Sequence, residues 1–217
     1  MNIKPPSQSK IKILFSHYQN REYQEAKNLA YSITKKFPDY HMAWKILGAV
    51  LGEMNLNIEA VAACKRAIHL KPKDVAPHYN LAISLKRLNR FSEAEKSFRD
   101  VTILLPYSSE AHYNLGNALR DTGKFEDSIL SYKKALSYRP DFARAYNNCG
   151  NVLELLGRLD EAKFFYQKAI QYNPNFSEAR YNLNKVVEIN VPAWHVAMLN
   201  DESRNQTYYE AIKRAIN

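Results

Sequence analysis

Five prolines, Pro38, Pro72, Pro106, Pro140 and Pro174, stand 34 residues apart along the chain. Proline has no backbone N–H and clashes with the preceding turn, so each of them ends a helix. Two further columns keep the same step: Ala26, Ala60, Ala94, Ser128 and Ala162, and Gly48, Ala82, Gly116 and Gly150. Between these columns apolar residues recur at helical spacing. In the cleanest copy, which opens at Pro140, one face carries Tyr146, Cys149, Gly150 and Leu153, and a second carries Ala162, Tyr166, Ala169 and Ile170. A pair of helices this short cannot bury its apolar stripe alone, so successive pairs must stack.

The expected fold is therefore all-α, an α-solenoid of about five helix-turn-helix repeats. The repeats fall at about 7–40, 41–74, 75–108, 109–142 and 143–176. A half repeat at 177–190 and a different C-terminal segment at 191–217 follow, and residues 1–6 form a short tail. Small residues in the two columns let the helices of a hairpin cross closely. Large ones fill the space around the crossing: Trp44, Leu47, Leu81, Leu115, Leu153, Phe98, Tyr132 and Tyr166. Asp39, Asp141 and Asn175, each following a proline, are placed to cap the next helix. The first repeat is degenerate, as expected where one face meets water.

Only 6 glycines occur in 217 residues, which favours helices over turns with positive backbone angles. No run of 18 apolar residues is present, so no membrane span is expected. The start, MNIKPPSQSK, lacks the apolar core of a secretory signal. With Cys64 and Cys149 inside helical patterns as small apolar filler, the chain reads as cytoplasmic. On that reading the glycosylation pattern at Asn205 is irrelevant. The net charge of +9 is concentrated towards the N-terminus, with +4 over residues 1–40 and neutrality beyond 140. The basic residues are dispersed on helix faces and form no nucleic-acid motif, so no nucleic-acid partner is expected.

The pattern Trp44-x-x-Leu47-Gly48 with Ala60, Ala67 and Pro72, and Tyr146-x-x-Cys149-Gly150 with Ala162, Tyr166, Ala169 and Pro174, resembles the tetratricopeptide repeat. The resemblance covers about residues 7–190 and implies a right-handed superhelix whose first helices line the concave side. Counted from the third residue after each proline, the sixth place reads Ile46, Asn80, Asn114, Asn148 and Asn182. An amide offers donors and an acceptor, so such a ladder can grip a peptide backbone without reading its sequence. It is similar to the ladder lining the superhelix of O-linked N-acetylglucosamine transferases. Neighbouring inner places add Tyr79, Tyr113, Asn117, Asn147, Asn151 and Tyr181. These ten residues are the candidate peptide-binding set, although some of the asparagines could instead bond within the solenoid. A carboxylate clamp of the kind that holds chaperone C-termini is disfavoured: its places read Lys45, Ala49, Asn80, Glu110 and Asn114, and Glu110 has the wrong sign.

Catalysis and metal binding find no support in the solenoid. The histidines His17, His41, His69, His78, His112 and His195 form no pair at helical ligand spacing. His78 and His112 share the column of Trp44 and Tyr146 and are expected to pack. No cofactor is expected within the chain.

The C-terminal segment has a resemblance of its own. Trp194-His195, Met198-Leu199, Asp201, Arg204-Asn205, Tyr208 and Ala211-Ile212 look like the segment opening the catalytic core of protein arginine methyltransferases. That resemblance implies a helix folding over S-adenosylmethionine, with Arg204 at the methionine carboxylate and Met198 near the substrate. No glycine-rich nucleotide loop follows, so the segment either caps the solenoid or heads a catalytic domain that this chain does not contain. The primary expectation is a non-enzymatic module binding a protein or peptide in its groove. Recruitment of substrate to a methyltransferase is the alternative, and a homodimer through one end of the solenoid is a further possibility.

Overall fold

The computed structural model of the chain describes residues 5–189 and Gln206. Every element among them is an α-helix, and the array is an all-α solenoid of hairpins. The pairs are α1 Gln8–Gln19 with α2 Tyr23–Lys36, α3 His41–Glu53 with α4 Asn57–Leu70, and α5 Val75–Arg87 with α6 Phe91–Leu104. They continue with α7 Ser109–Asp121 and α8 Phe125–Tyr138, then α9 Ala143–Leu155 and α10 Leu159–Tyr172, and finally α11 Ser177–Ile189. The helices fall into two compact units, the first ending at Pro140 and the second beginning at Asp141. No helix among the described residues is long and apolar enough to cross a membrane.

A periodic column that the glycine count does not reveal makes the turn inside each hairpin. Arg21, Asn55, Asn89, Gly123 and Gly157, again 34 apart, all have positive φ, between 58° and 76°. This is the left-handed conformation that closes a helix C-terminus. The next residue then donates its N–H to the carbonyl five positions back: Glu22 to His17, Leu56 to Leu51, Arg90 to Leu85, Lys124 to Leu119 and Arg158 to Leu153, at 2.8–2.9 Å.

The caps that start the first helices stand one residue later than the sequence pattern suggests. Asp74 accepts from Ala76 N at 3.3 Å, and Ser108 Oγ accepts from Ala111 N at 3.2 Å. Both stand two places after a proline, immediately before the helix, which is where a cap must be. In the repeats where Asp39 and Asp141 follow the proline directly, that place is held by Tyr40 and Phe142, and the helix has no side-chain cap. Asp39 pairs with Arg66 at 2.7 Å instead.

The small-residue columns do what their spacing implies. A Cβ added to Gly116 would meet Tyr132 Cε1 at 2.6 Å, one on Gly150 would meet Tyr166 Cε1 at 2.6 Å, and one on Gly48 would meet Cys64 Sγ at 2.6 Å. Ser128, the exception in the alanine column, donates its hydroxyl to the Gly116 carbonyl at 2.7 Å. One charged group is also interior. Glu95 is 5% exposed and takes Lys124 Nζ at 2.8 Å, Arg99 Nη2 at 2.8 Å and the Thr122 hydroxyl at 3.0 Å.

His78 and His112 are buried as expected, but they also hold the joints between hairpins. Each places Nε2 against a proline carbonyl six residues back, His78 to Pro72 at 2.8 Å and His112 to Pro106 at 2.9 Å. Trp44 Nε1 donates to Pro38 O in the same way at 2.8 Å. A carbonyl only accepts, so Nε2 of each imidazole carries the proton. Tyr146, in the same column, has no ring N–H and stacks on Tyr172, with centroids 5.5 Å apart.

Candidate functional site

Within the first unit α3 packs against both α1 and α5, so first helices come together along one side of the stack. Predicted inner places of α5 and α7 meet through their side chains. Tyr79 is 36% exposed, with its ring edge-on to Phe98 at 5.8 Å. Asn114 Nδ2 donates to the Tyr79 hydroxyl at 3.4 Å, linking α5 to α7. Asn80, Tyr113 and Asn114 are half-buried, and the Tyr113 ring leans on Tyr132 at 6.0 Å. Beside them Asn117 Oδ1 accepts from the Tyr132 hydroxyl at 2.7 Å, which fixes the orientation of the amide.

The second unit draws its asparagines into a network. Asn182 Nδ2 donates to Asn151 Oδ1 at 2.9 Å and to Asn147 Oδ1 at 3.2 Å, joining α11 to α9. The Tyr166 hydroxyl on α10 lies 2.9 Å from both Asn151 Oδ1 and Glu154 Oε2. Burial first, and then the Glu154 carboxylate, push the Tyr166 phenol far above its ordinary pKa. Asn147 donates to Glu178 Oε1 at 2.9 Å and is only 1% exposed. The sequence reading places it on the groove, whereas here it is buried against α11. Its bonds to Glu178 and Asn182 join α9 to α11 and close the amide to a ligand. Asn148 and Asn182 are half-buried, and Tyr181 is 70% exposed.

A sequence signal for the tyrosine–asparagine bonds was available in paired columns fifteen residues apart. The pairs read Ala49/Cys64, Ile83/Phe98, Asn117/Tyr132 and Asn151/Tyr166. An amide stands on the first helix only where a phenol stands on the second. A buried hydroxyl needs a partner, so the two change together.

The carboxylate-clamp places are occupied otherwise. Lys45 Nζ donates to both oxygens of Asp74, at 2.8 and 3.0 Å, and Glu110 pairs with Arg139 at 3.0 Å. Among the described residues no group of three or more His, Cys, Asp or Glu could hold a metal ion. Met198 and Arg204, the residues of the methyltransferase-like reading, lie outside the described residues.

Comparison with known families agrees with this geometry. Residues 79–136 and 143–176 match the tetratricopeptide repeat, and residues 116–157 match the TPR repeat. Tetratricopeptide repeats are matched within residues 79–176. Solved structures with these repeats share the fold. The crystal structure of YrrB, described as a TPR protein with an unusual peptide-binding site, superposes with TM-score 0.74 at 18% identity, over 81% of this chain and 91% of YrrB. MamA from Desulfovibrio magneticus RS-1 gives 0.70 at 17% identity, over 77% and 97%. Among curated proteins, the peroxisomal targeting signal receptor of Candida glabrata is 33% identical over 93 residues, and that of Saccharomyces cerevisiae is 34% identical over 92. These matches cover 43% and 42% of this chain and 15% of each receptor, so the chain spans only a small part of the length of these relatives.

Proposed function

We propose that the chain is a non-catalytic protein-interaction module that holds an extended segment of a partner along its first helices. The observation that carries this reading is the amide–phenol strip of α5 and α7, where Tyr79, Asn80, Tyr113 and Asn114 keep accessible surface and Asn114 bonds Tyr79 across the two helices. Tyrosine rings supply contact area with a polar tip, and amides supply paired donors and acceptors for a peptide backbone. The similarity to receptors for a targeting signal supports a peptide as the ligand, as does the YrrB description. The strip offers no acid–base set of its own, which favours binding over catalysis.

The test starts from short peptides selected on the wild-type chain by phage display, each then measured by fluorescence anisotropy. Asn80→Ala with Asn114→Ala is expected to weaken binding about tenfold, from loss of hydrogen bonds each contributing roughly 0.5–1.5 kcal/mol. Unchanged affinity for every selected peptide would remove the strip from the binding face.

A further inference from the structure

Away from that strip, α4, α5 and α6 enclose a pocket of about 320 Å³. It lies within the first unit. Ile68, Leu81 and Leu85 give it an apolar floor, and His78 and Ser97 form one wall. The charged groups at its mouth are Lys65, Glu93, Lys96 and Asp100.

The pocket is left open because this repeat lacks the aromatic rings that close the same space further along the chain. One unit of period further on, Ser131 and His112 occupy the columns of Ser97 and His78, but Tyr138 lies over the imidazole with centroids 5.6 Å apart. Two periods on, the residues are Phe165 and Tyr146, whose rings meet at 5.9 Å. The third repeat has Leu104 where the fourth has Tyr138, so nothing aromatic covers the opening.

The charges at the mouth number two of each sign, but one of the two acids is already held by a cation outside the lining. Glu93 is held by Arg90 through both oxygens, at 2.6 and 2.8 Å, which leaves Lys65 at 3.8 Å from an occupied carboxylate. Asp100 faces His78 Nδ1 at 3.7 Å, while the other ring nitrogen is bonded to Pro72. Lys96 makes no ion pair among the described residues. With Glu93 held by Arg90, Lys65 and Lys96 face Asp100 alone, so the opening favours one added negative charge. An apolar floor with a few polar groups above it is the usual make-up of a small-ligand site, and the volume falls at the lower end of their range.

We propose that this pocket binds a monocarboxylate with a branched-aliphatic or aryl body. The body rests on Ile68, Leu81 and Leu85, and the carboxylate lies toward Lys96 and Lys65. A free small acid and the terminal carboxylate of a peptide ending in an apolar residue share this chemistry. The site uses none of the strip residues and does not depend on the peptide-binding reading.

The experiment is an amide-resolved NMR titration of the full chain with 4-methylpentanoate, 3-phenylpropanoate, 4-methylpentanamide and N-acetyl-Gly-Gly-Leu. The acids are expected to give saturable shifts confined to residues 65–100, with Kd on the order of 1 mM for so few atoms. The uncharged amide should bind more weakly by about fivefold. Lys96→Gln, a surface change, should weaken the acids by about two- to fivefold, the range of an exposed ion pair. Ser97→Phe, which puts in this column the residue found at 165, should abolish the shifts while the rest of the spectrum remains native. Tighter binding of the peptide than of 4-methylpentanoate identifies a chain terminus as the ligand, and the reverse identifies a small acid. The proposal is overturned if no acid saturates, if the amide binds equally well, or if Lys96→Gln and a folded Ser97→Phe both bind like wild type.

Discussion

The ring of Tyr132 lies so close over Gly116 that a methyl group there would stand 2.6 Å from Cε1. A fully buried tyrosine cannot move aside without disturbing its bond to Asn117. Gly116→Ala is therefore expected to destabilise the first unit by about 1–2 kcal/mol, since overpacking outweighs the helix propensity gained. Gly52 provides the contrast, because a Cβ there meets only Ser84 Oγ at 3.7 Å. Gly52→Ala should stabilise by about 0.5–1 kcal/mol. Urea unfolding of the two variants decides it, and shifts of the same sign would contradict the packing described.

Arg21 holds the left-handed turn position that Asn55, Asn89, Gly123 and Gly157 hold elsewhere, at φ 61°. A side chain with a Cβ is strained there by about 1–2 kcal/mol, only part of which is regained once the greater flexibility of unfolded glycine is counted. Arg21→Gly should raise the unfolding midpoint by the equivalent of about 0.5–1 kcal/mol. Gly157→Ala should lower it by a similar amount, although nothing lies near enough to clash.

Glu95 ties α6 to the turn before α8. Burial opposes its ionisation, but hydrogen bonds from Lys124, Arg99 and Thr122 outweigh that and hold its pKa below the ordinary carboxylate value. A carboxyl shifted this way stabilises the fold above its unfolded pKa, and that contribution is lost as pH falls through the folded pKa. Glu95→Gln is expected to cost about 1–2 kcal/mol at neutral pH. The gap between the variant and wild type should close below about pH 4. A gap that persists undiminished at low pH would show that packing, not charge, sets the effect.

Cys64 is fully buried beneath Gly48, and burial pushes its thiol up to about 12. Thiolate is the reactive form, so a chromogenic disulfide reagent should leave Cys64 unmodified in the native chain at pH 8. In denaturant it should react fully. Mass spectrometry of the labelled peptide separates it from Cys149, and fast native labelling of Cys64 would contradict the burial.

What the sequence shows of this fold follows from which physical constraints exclude all but one residue type. A close crossing admits only small side chains, so Gly116 and Ala94 stand out, and helix ends admit proline, so the period is plain. The turn column is hidden because arginine, asparagine and glycine all reach positive φ, at different cost. Asn147 shows a different limit. Periodicity places it correctly on α9, but whether its amide faces water or α11 depends on Glu178 and Asn182, more than thirty residues away. The roles of His78 and His112 were half legible, since burial follows from the column but the proline carbonyl they meet comes from the bend of the chain.

The contact between Gly116 and Tyr132 spans sixteen residues, and the bonds from Asn114 to Tyr79, Asn182 to Asn147 and Arg87 to Gly52, among the longest of the described residues, span 35. No described bond requires the chain to close a loop much longer than one repeat. The entropic barrier to forming the first stable hairpin is therefore low and nearly the same along the array, so folding can start at whichever hairpin forms first and spread outward. On ribosomes this means that each repeat can dock as soon as its second helix emerges, before the following repeats have been made.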